Sequence, residues 1–384
     1  MTRVQIYSAR TWGAMGNLLA GRHLGSVLDR DLGRQVDVHA IEDLVGWMAD
    51  AGRRIKEITT STTNPDHLRE SYLRFAESAS SLMPAGVELD TGAPPIPLGT
   101  LAEHLLATRP DIVVGTKGIV SRMLTWCVEA HRLPTRVLNY VTNPGLFEMD
   151  MHLTPHADLV TVPFPWNRDR LRERSGLPAS KIVVPGPLLA GRSMPGSIRT
   201  GDQDRRPIVL VLNNRGGPAF SELVLDLAEH AGALHVAYVV VDQPEEIART
   251  LEPCRARGWD VFDRLPQDRY LEFLDWARRT PGSFLVSKAG PNTVLEAANQ
   301  GIPLIVMPSG LPMEDWVPDL VVQHSLGVRA HDASGLVDVA RAWLDPLSTA
   351  PFREGAARFR ADHLDQGHAE RTVTDAIDSL RRSP

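Results

Sequence analysis

The stretch SFLVSKAGPNTVLEAANQGIPLIVMP (283–308) holds, in order, an apolar run of strand length, a small-residue turn, a segment with helical spacing and a second apolar run. Gly301 supplies the helix stop and Pro303 opens the second strand. A strand, a crossover helix and a second strand make the repeating unit of a parallel sheet. The same alternation runs through the rest of the chain. Strands are expected at 4–9, 35–41, 112–116, 136–141, 159–163 and 181–186, and again at 207–214, 234–241, 260–264, 283–288 and 302–308. Alternation made twice predicts an α/β chain with two Rossmann-like, doubly wound parallel-sheet domains.

Between the two series, PGPLLAGRSMPGSIRTGDQDRRP (185–207) is rich in Gly, Pro and charge, which is linker chemistry. The expected division is a first domain over 1–187, a linker over 188–206 and a second domain over 207–365. Ala369, Val373, Ala376, Ile377 and Leu380 recur at helical spacing, so 366–384 is expected to form a helix packing back on the first domain. Ligands of open α/β sheets gather near the carboxyl ends of the strands, so a cleft between two such domains is the expected site.

The chain has 384 residues, 43% of them hydrophobic, enough for two cores. A net charge of −6 and a pI near 6.1 argue against a nucleic-acid partner. Cys127 and Cys254 are too few and too far apart for a disulfide framework or a metal knuckle and are expected to be core filler. The start, MTRVQIYSAR, reads as a strand rather than a signal peptide, and no apolar run approaches the roughly 20 residues of a membrane span. A cytoplasmic location is expected. The segment 40–58 carries Ile41, Leu44, Val45, Met48 and Ile55 on one face with Arg53, Arg54 and Lys56 nearby; a core-facing helix and a helix touching a membrane surface both fit.

In the opening stretch, the first helical turn points N–H groups and a positive dipole end at whatever lies before it, which favours a phosphate. Gly290 lets a ligand approach the backbone, and Asn292 or Thr293 can cap the helix or bond phosphate oxygens. Glu296 lies three residues after Thr293, a spacing that suits either a carboxylate on a ribose diol or a T-x-x-E capping box. A second turn, in VLVLNNRGGPAFSELVLDLA (209–228), offers Gly216 and Gly217 for close approach and Arg215 to offset phosphate charge.

The block SKAGPNTVLEA followed by GIPLIVMP resembles the nucleotide-binding block of inverting two-domain (GT-B) glycosyltransferases, the group containing bacterial lipid II N-acetylglucosaminyltransferase and plant monogalactosyldiacylglycerol synthase. The resemblance spans about 40 residues, running on through LPMEDWVPDLVVQHSLG (311–327). It implies that Lys288, Gly290, Pro291, Asn292 and Thr293 hold a UDP diphosphate with Arg215–Gly217, that Glu296 binds the ribose, and that Phe262 lies near the uracil. Sugar hydroxyls would fall to Glu314 and Asp315, although the segment Pro312–Trp316 departs from the family's pattern.

On the acceptor side the resemblance weakens. The family's loop after the first strand corresponds to Gly13-Ala14-Met15-Gly16-Asn17, where its basic histidine is replaced by Asn17, an amide that cannot accept a proton at neutral pH. A further loop carries Asn143, Glu148 and Asp150, the two carboxylates standing near where relatives use imidazole. Carboxylates with raised pKa values are competent bases. Gly13, Gly16, Asn143 and the rare lysine Lys117 are expected to line the acceptor, while His23 helps only if it faces the cleft. No metal or cofactor is expected beyond the UDP-sugar co-substrate.

The resulting expectation is a metal-independent, inverting UDP-sugar glycosyltransferase. The acceptor-side departures and the arginine-rich composition favour a small-molecule acceptor, such as a bacterial natural product, over a membrane lipid. A nucleotide-sugar hydrolase or epimerase, or a non-catalytic UDP-sugar-binding partner subunit, are the alternatives.

Overall fold

The computed structural model describes residues 2–10, 16–32, 35–62, 64–82, 96–143, 145, 154, 156–189, 206–214, 217–230, 232 and 234–382. The chain divides into two compact units, one of Met1–Ile58, Arg69–Ala190 and Asp365–Pro384, the other of Thr59–Leu68 and Gly191–Leu364.

The first unit is built on β1 (Arg3–Ser8), β2 (Gln35–Ala40), β3 (Ile112–Gly115), β4 (Arg136–Tyr140), β5 (Leu159–Thr161) and β6 (Ile182–Val183), with the order β2-β1-β3-β4-β5-β6 and every pairing parallel. Its helices are α1 (Gly16–Leu32), α2 (Gly46–Ser61, ending across the division), α3 (Pro65–Leu82, beginning across it), α4 (Gly99–Thr108), α5 (Gly118–Ala130) and α6 (Pro165–Ser175). The strands β1, β3 and β4 are buried almost throughout, which is why they read as unbroken apolar runs. The membrane-facing alternative for 40–58 is not what this segment forms: Ile41, Val45, Met48 and Ile55 are buried in the core, and Arg53, Arg54 and Lys56 are exposed. Among the described residues no helix is long and apolar enough to cross a membrane.

The second unit holds β7 (Ile208–Asn214), β8 (His235–Val241), β9 (Asp260–Phe262), β10 (Phe284–Lys288), β11 (Leu304–Met307) and β12 (Gly327–Arg329), ordered β12-β11-β10-β7-β8-β9 and again parallel. Counted from β9, this is the 3-2-1-4-5-6 order of dinucleotide-binding folds. Its helices are α7 (Pro218–His230), α8 (Pro244–Ala256), α9 (Gln267–Arg279), α10 (Pro291–Gln300), α11 (Trp316–Gln323), α12 (Ala333–Ala342) and α13 (Pro346–His363). Every strand expected from the sequence forms, with β5, β6, β9 and β11 shorter than expected by two residues or more. The three-residue edge strand β12 was not anticipated, being too short to show alternation.

The last helix, α14 (Gln366–Arg382), packs on the first unit's sheet. Ala369, Val373, Ala376, Ile377 and Leu380 share a core with Val4, Ile6, Leu24 and Leu28. Arg30 on α1 clamps Glu370 of α14 at 2.8 Å. Cys127 and Cys254 are free and buried in the cores of their respective units.

Candidate functional site

In the second unit the strand order reverses between β7 and β10, where Leu212 lies opposite Ser287. The loops leaving the carboxyl ends of these neighbours carry Gly217 and Lys288–Gly290, so the two glycine turns singled out in the sequence meet at the switch point. Gly217 has φ +73°, which favours glycine. Its carbonyl accepts from Asn213 Nδ2 at 3.2 Å; the same amide donates to the Tyr238 hydroxyl at 2.8 Å, and that hydroxyl meets Ser221 Oγ at 2.8 Å. Asn213, Tyr238 and Ser221 are fully buried, so this network fixes the start of α7. Arg215 and Gly216 lie outside the described residues.

Helix α10 begins at Pro291, with Gly290 as its N-cap and no side-chain cap. Thr293 and Glu296 are therefore both inside the helix, and the T-x-x-E capping box does not form. The Gly290 N–H is already engaged by the Lys288 carbonyl at 2.6 Å, and Pro291 has none. The first-turn donors are those of Asn292 and Thr293. A Cβ on Gly290 would meet only Lys288 O and Thr293 Oγ1, each at 3.9 Å, and its φ is −75°. Nothing inside the protein demands glycine there.

Burial pushes the Glu296 carboxyl up to about 7, against a smaller lowering by Tyr270. Tyr270, from α9, was not singled out in the sequence; an aromatic with a polar tip on a helix was its only signal. Burial likewise raises Glu314, opposed by the Ser309 hydroxyl and by the charge of Lys288, the last residue of β10. Asp315 follows as the exposed N-cap of α11. Phe262 ends β9, separated from β10 by β7 and β8, and packs edge-on against Phe273.

The first sheet reverses between β1 and β3. The loops after β1, β3 and β4 converge there: Asn17 in the first turn of α1, Thr116 and Lys117 after β3, Thr142 and Asn143 after β4. Thr142 Oγ1 donates to Asn17 Oδ1 at 2.7 Å, and the Thr116 N–H donates to the Tyr7 carbonyl at 3.1 Å. Asn143 Oδ1 accepts from the Gly145 N–H at 2.9 Å. Lys117 is buried as the N-cap of α5; burial lowers its ammonium to about 7, with Glu42 opposing. Thr142 and Glu42 are partners the sequence did not reveal, since each comes from a distant loop. Gly16 is the first residue of α1, and His23 lies half-buried further along it. Gly13, Glu148 and Asp150 lie outside the described residues. Among the described residues no group of three His, Cys, Asp or Glu side chains could hold a metal.

Two parallel-sheet units of these strand orders match the GT-B glycosyltransferase fold of solved structures. A solved MurG from Acinetobacter baumannii superposes with a TM-score of 0.56 at 15% identity, covering 99% of this chain and 100% of that one. A UDP-N-acetylglucosamine 2-epimerase superposes at 0.61 and 14% identity, covering 100% and 97%. Within that fold the resemblance drawn from the motifs is matched by sequence relatives. One is the UDP-N-acetylglucosamine–N-acetylmuramyl-(pentapeptide) pyrophosphoryl-undecaprenol N-acetylglucosamine transferase of Leuconostoc citreum, 24% identical over 207 residues, which cover 52% of this chain and 54% of the relative. The chain thus spans about half the length of the curated relatives it first matches. No protein-family model matches it.

Proposed function

We propose that the protein is a UDP-sugar-dependent glycosyltransferase acting on an acceptor hydroxyl or amine. The observation that carries the reading is the placement of Glu296 inside α10, with the helix start, Lys288 and Gly217 gathered at one switch point. A carboxylate there accepts from a ribose diol, and the N–H groups of Asn292 and Thr293 with the Lys288 ammonium offset diphosphate charge. Glu314 is the candidate for reading the sugar.

In the inverting reaction the acceptor oxygen or nitrogen bonds to the anomeric carbon while the bond from that carbon to the β-phosphate oxygen breaks. UDP leaves with the electron pair, and the acceptor proton passes to a base. Asn17 is an amide engaged by Thr142 and cannot take that proton. We assign the base to Glu148 or Asp150.

A lipid-linked acceptor is favoured by the names of the sequence relatives; the small-molecule acceptor rests on the acceptor-side departures and the arginine-rich composition. An epimerase or hydrolase on the same fold is the second reading, favoured by the amide at Asn17. The discriminating experiment incubates the protein with UDP-N-acetylglucosamine, UDP-glucose and UDP-galactose. Each is given a polyprenyl-diphosphate-linked muramyl acceptor, a panel of small-molecule aglycones, or no acceptor. A new glycoside in either acceptor arm supports transfer and chooses the acceptor class. UDP released equally without acceptor, or an isomerised sugar nucleotide, supports the second reading.

A further inference from the structure

Tyr238 sits mid-strand in β8, fully buried, with its ring in the second unit's core. Its hydroxyl is held from both sides of the turn that follows β7. Asn213 Nδ2 stands 2.8 Å away on the strand side, and Ser221 Oγ, in the first turn of α7, stands 2.8 Å away on the helix side. A phenylalanine would fill the core without desolvating an oxygen, so apolar packing does not account for the phenol. The two bonds do: they close the chain across residues 213–221, a span that contains Gly217 at φ +73°.

The direction of each bond follows from its partners. The Gly217 carbonyl can only accept, so Asn213 must turn its Nδ2 toward it, at 3.2 Å. The amide oxygen then faces Gln243, whose Nε2 lies 3.2 Å from both that oxygen and the Asn213 carbonyl. The second Nδ2 hydrogen goes to the Tyr238 oxygen, which leaves the phenol's own hydrogen for Ser221 Oγ. One phenol and one amide thus join the loop after β8, the turn after β7 and the start of α7.

We propose that Tyr238 is a positioning residue for the donor diphosphate: its hydroxyl, bonded to Asn213 and Ser221, holds the Gly217 turn in the shape that receives the phosphates. This rests on reading the turn as part of a nucleotide site. The phenol touches no ligand and acts through the backbone it fixes. A turn ordered before the ligand arrives costs less to occupy, so loss of the hydroxyl lowers affinity for what the turn contacts. The ribose is assigned to Glu296 on α10, outside this network. The loss therefore falls on UDP more than on UMP.

The test is calorimetric titration of the full chain with UDP and with UMP, for the unaltered protein, Tyr238→Phe, Ser221→Ala and the double variant, with urea midpoints measured alongside. The unaltered protein binds UDP more tightly than UMP. Tyr238→Phe lowers that preference roughly 3- to 10-fold. Ser221→Ala lowers it too, and the double variant loses no more than Tyr238→Phe alone, because the two substitutions remove one shared bond. Should Tyr238→Phe fail to fold, Ser221→Ala carries the test. UDP and UMP weakened equally, or a preference left unchanged while the urea midpoint falls, makes the hydroxyl a part of the fold only and overturns the proposal. UDP bound no better than UMP by the unaltered protein overturns it as well, leaving the nucleotide reading standing. No binding of either nucleotide overturns both.

Discussion

Thr142 donates its hydroxyl hydrogen to Asn17 Oδ1 at 2.7 Å, tying the loop after β4 to the first turn of α1. A neutral bond of this kind contributes about 1 kcal/mol. A double-mutant cycle of Asn17→Ala and Thr142→Val, followed by urea unfolding, is expected to return a coupling of about that size. A coupling of zero would mean that the two loops are held independently.

Two glycines should behave oppositely. A Cβ at Gly327 would stand 1.8 Å from the Leu304 carbonyl, so Gly327→Ala forces β12 away from β11. The expected loss is about 3 kcal/mol or more. Gly290→Ala meets nothing nearer than 3.9 Å and should leave stability within about 0.5 kcal/mol while weakening UDP binding. Denaturation and nucleotide titration of the two variants check both halves.

The Lys117 ammonium, lowered from the usual 10.5 to about 7 by burial, predicts a pH dependence of stability. Between these values the unfolded chain holds the extra proton, so stability rises with pH across the window and the burial penalty is complete below pH 7. In Lys117→Met that slope, at most about 1.4 kcal/mol per pH unit, disappears. Urea midpoints measured from pH 7 to pH 10 should diverge between the two proteins, and parallel curves would place the ammonium in water.

The last helix is part of the first unit's core. Ile377 is fully buried, so Ile377→Ala should destabilise that unit by about 2–5 kcal/mol, while a surface change such as Asp375→Ala should stay within about 0.5. Hydrogen exchange resolved along the chain would show the loss in β1 and α1 if α14 supports them, and only in α14 itself if it does not.

Much of the fold is legible because buried parallel strands must be apolar on both faces: runs such as IVLVLNN in β7 and FLVSK in β10 announce themselves. The turns at Gly217 and Gly290 were visible because glycine marks them. What stayed hidden depends on distance in sequence. The partners Thr142 for Asn17, Glu42 for Lys117 and Tyr270 for Glu296 come from separate loops or helices, and no periodicity links them. The capping-box alternative for Thr293 and Glu296 was open in the sequence, because both roles need the same spacing. The position of the N-cap at Gly290 removes that explanation of the spacing.

The most direct test of the nucleotide reading is calorimetric titration of the purified chain with UDP, GDP and TDP, repeated on Glu296→Ala. The account predicts selective UDP binding that the substitution weakens by about 1–3 kcal/mol, roughly 5- to 150-fold. No nucleotide binding, or binding indifferent to Glu296, would contradict it.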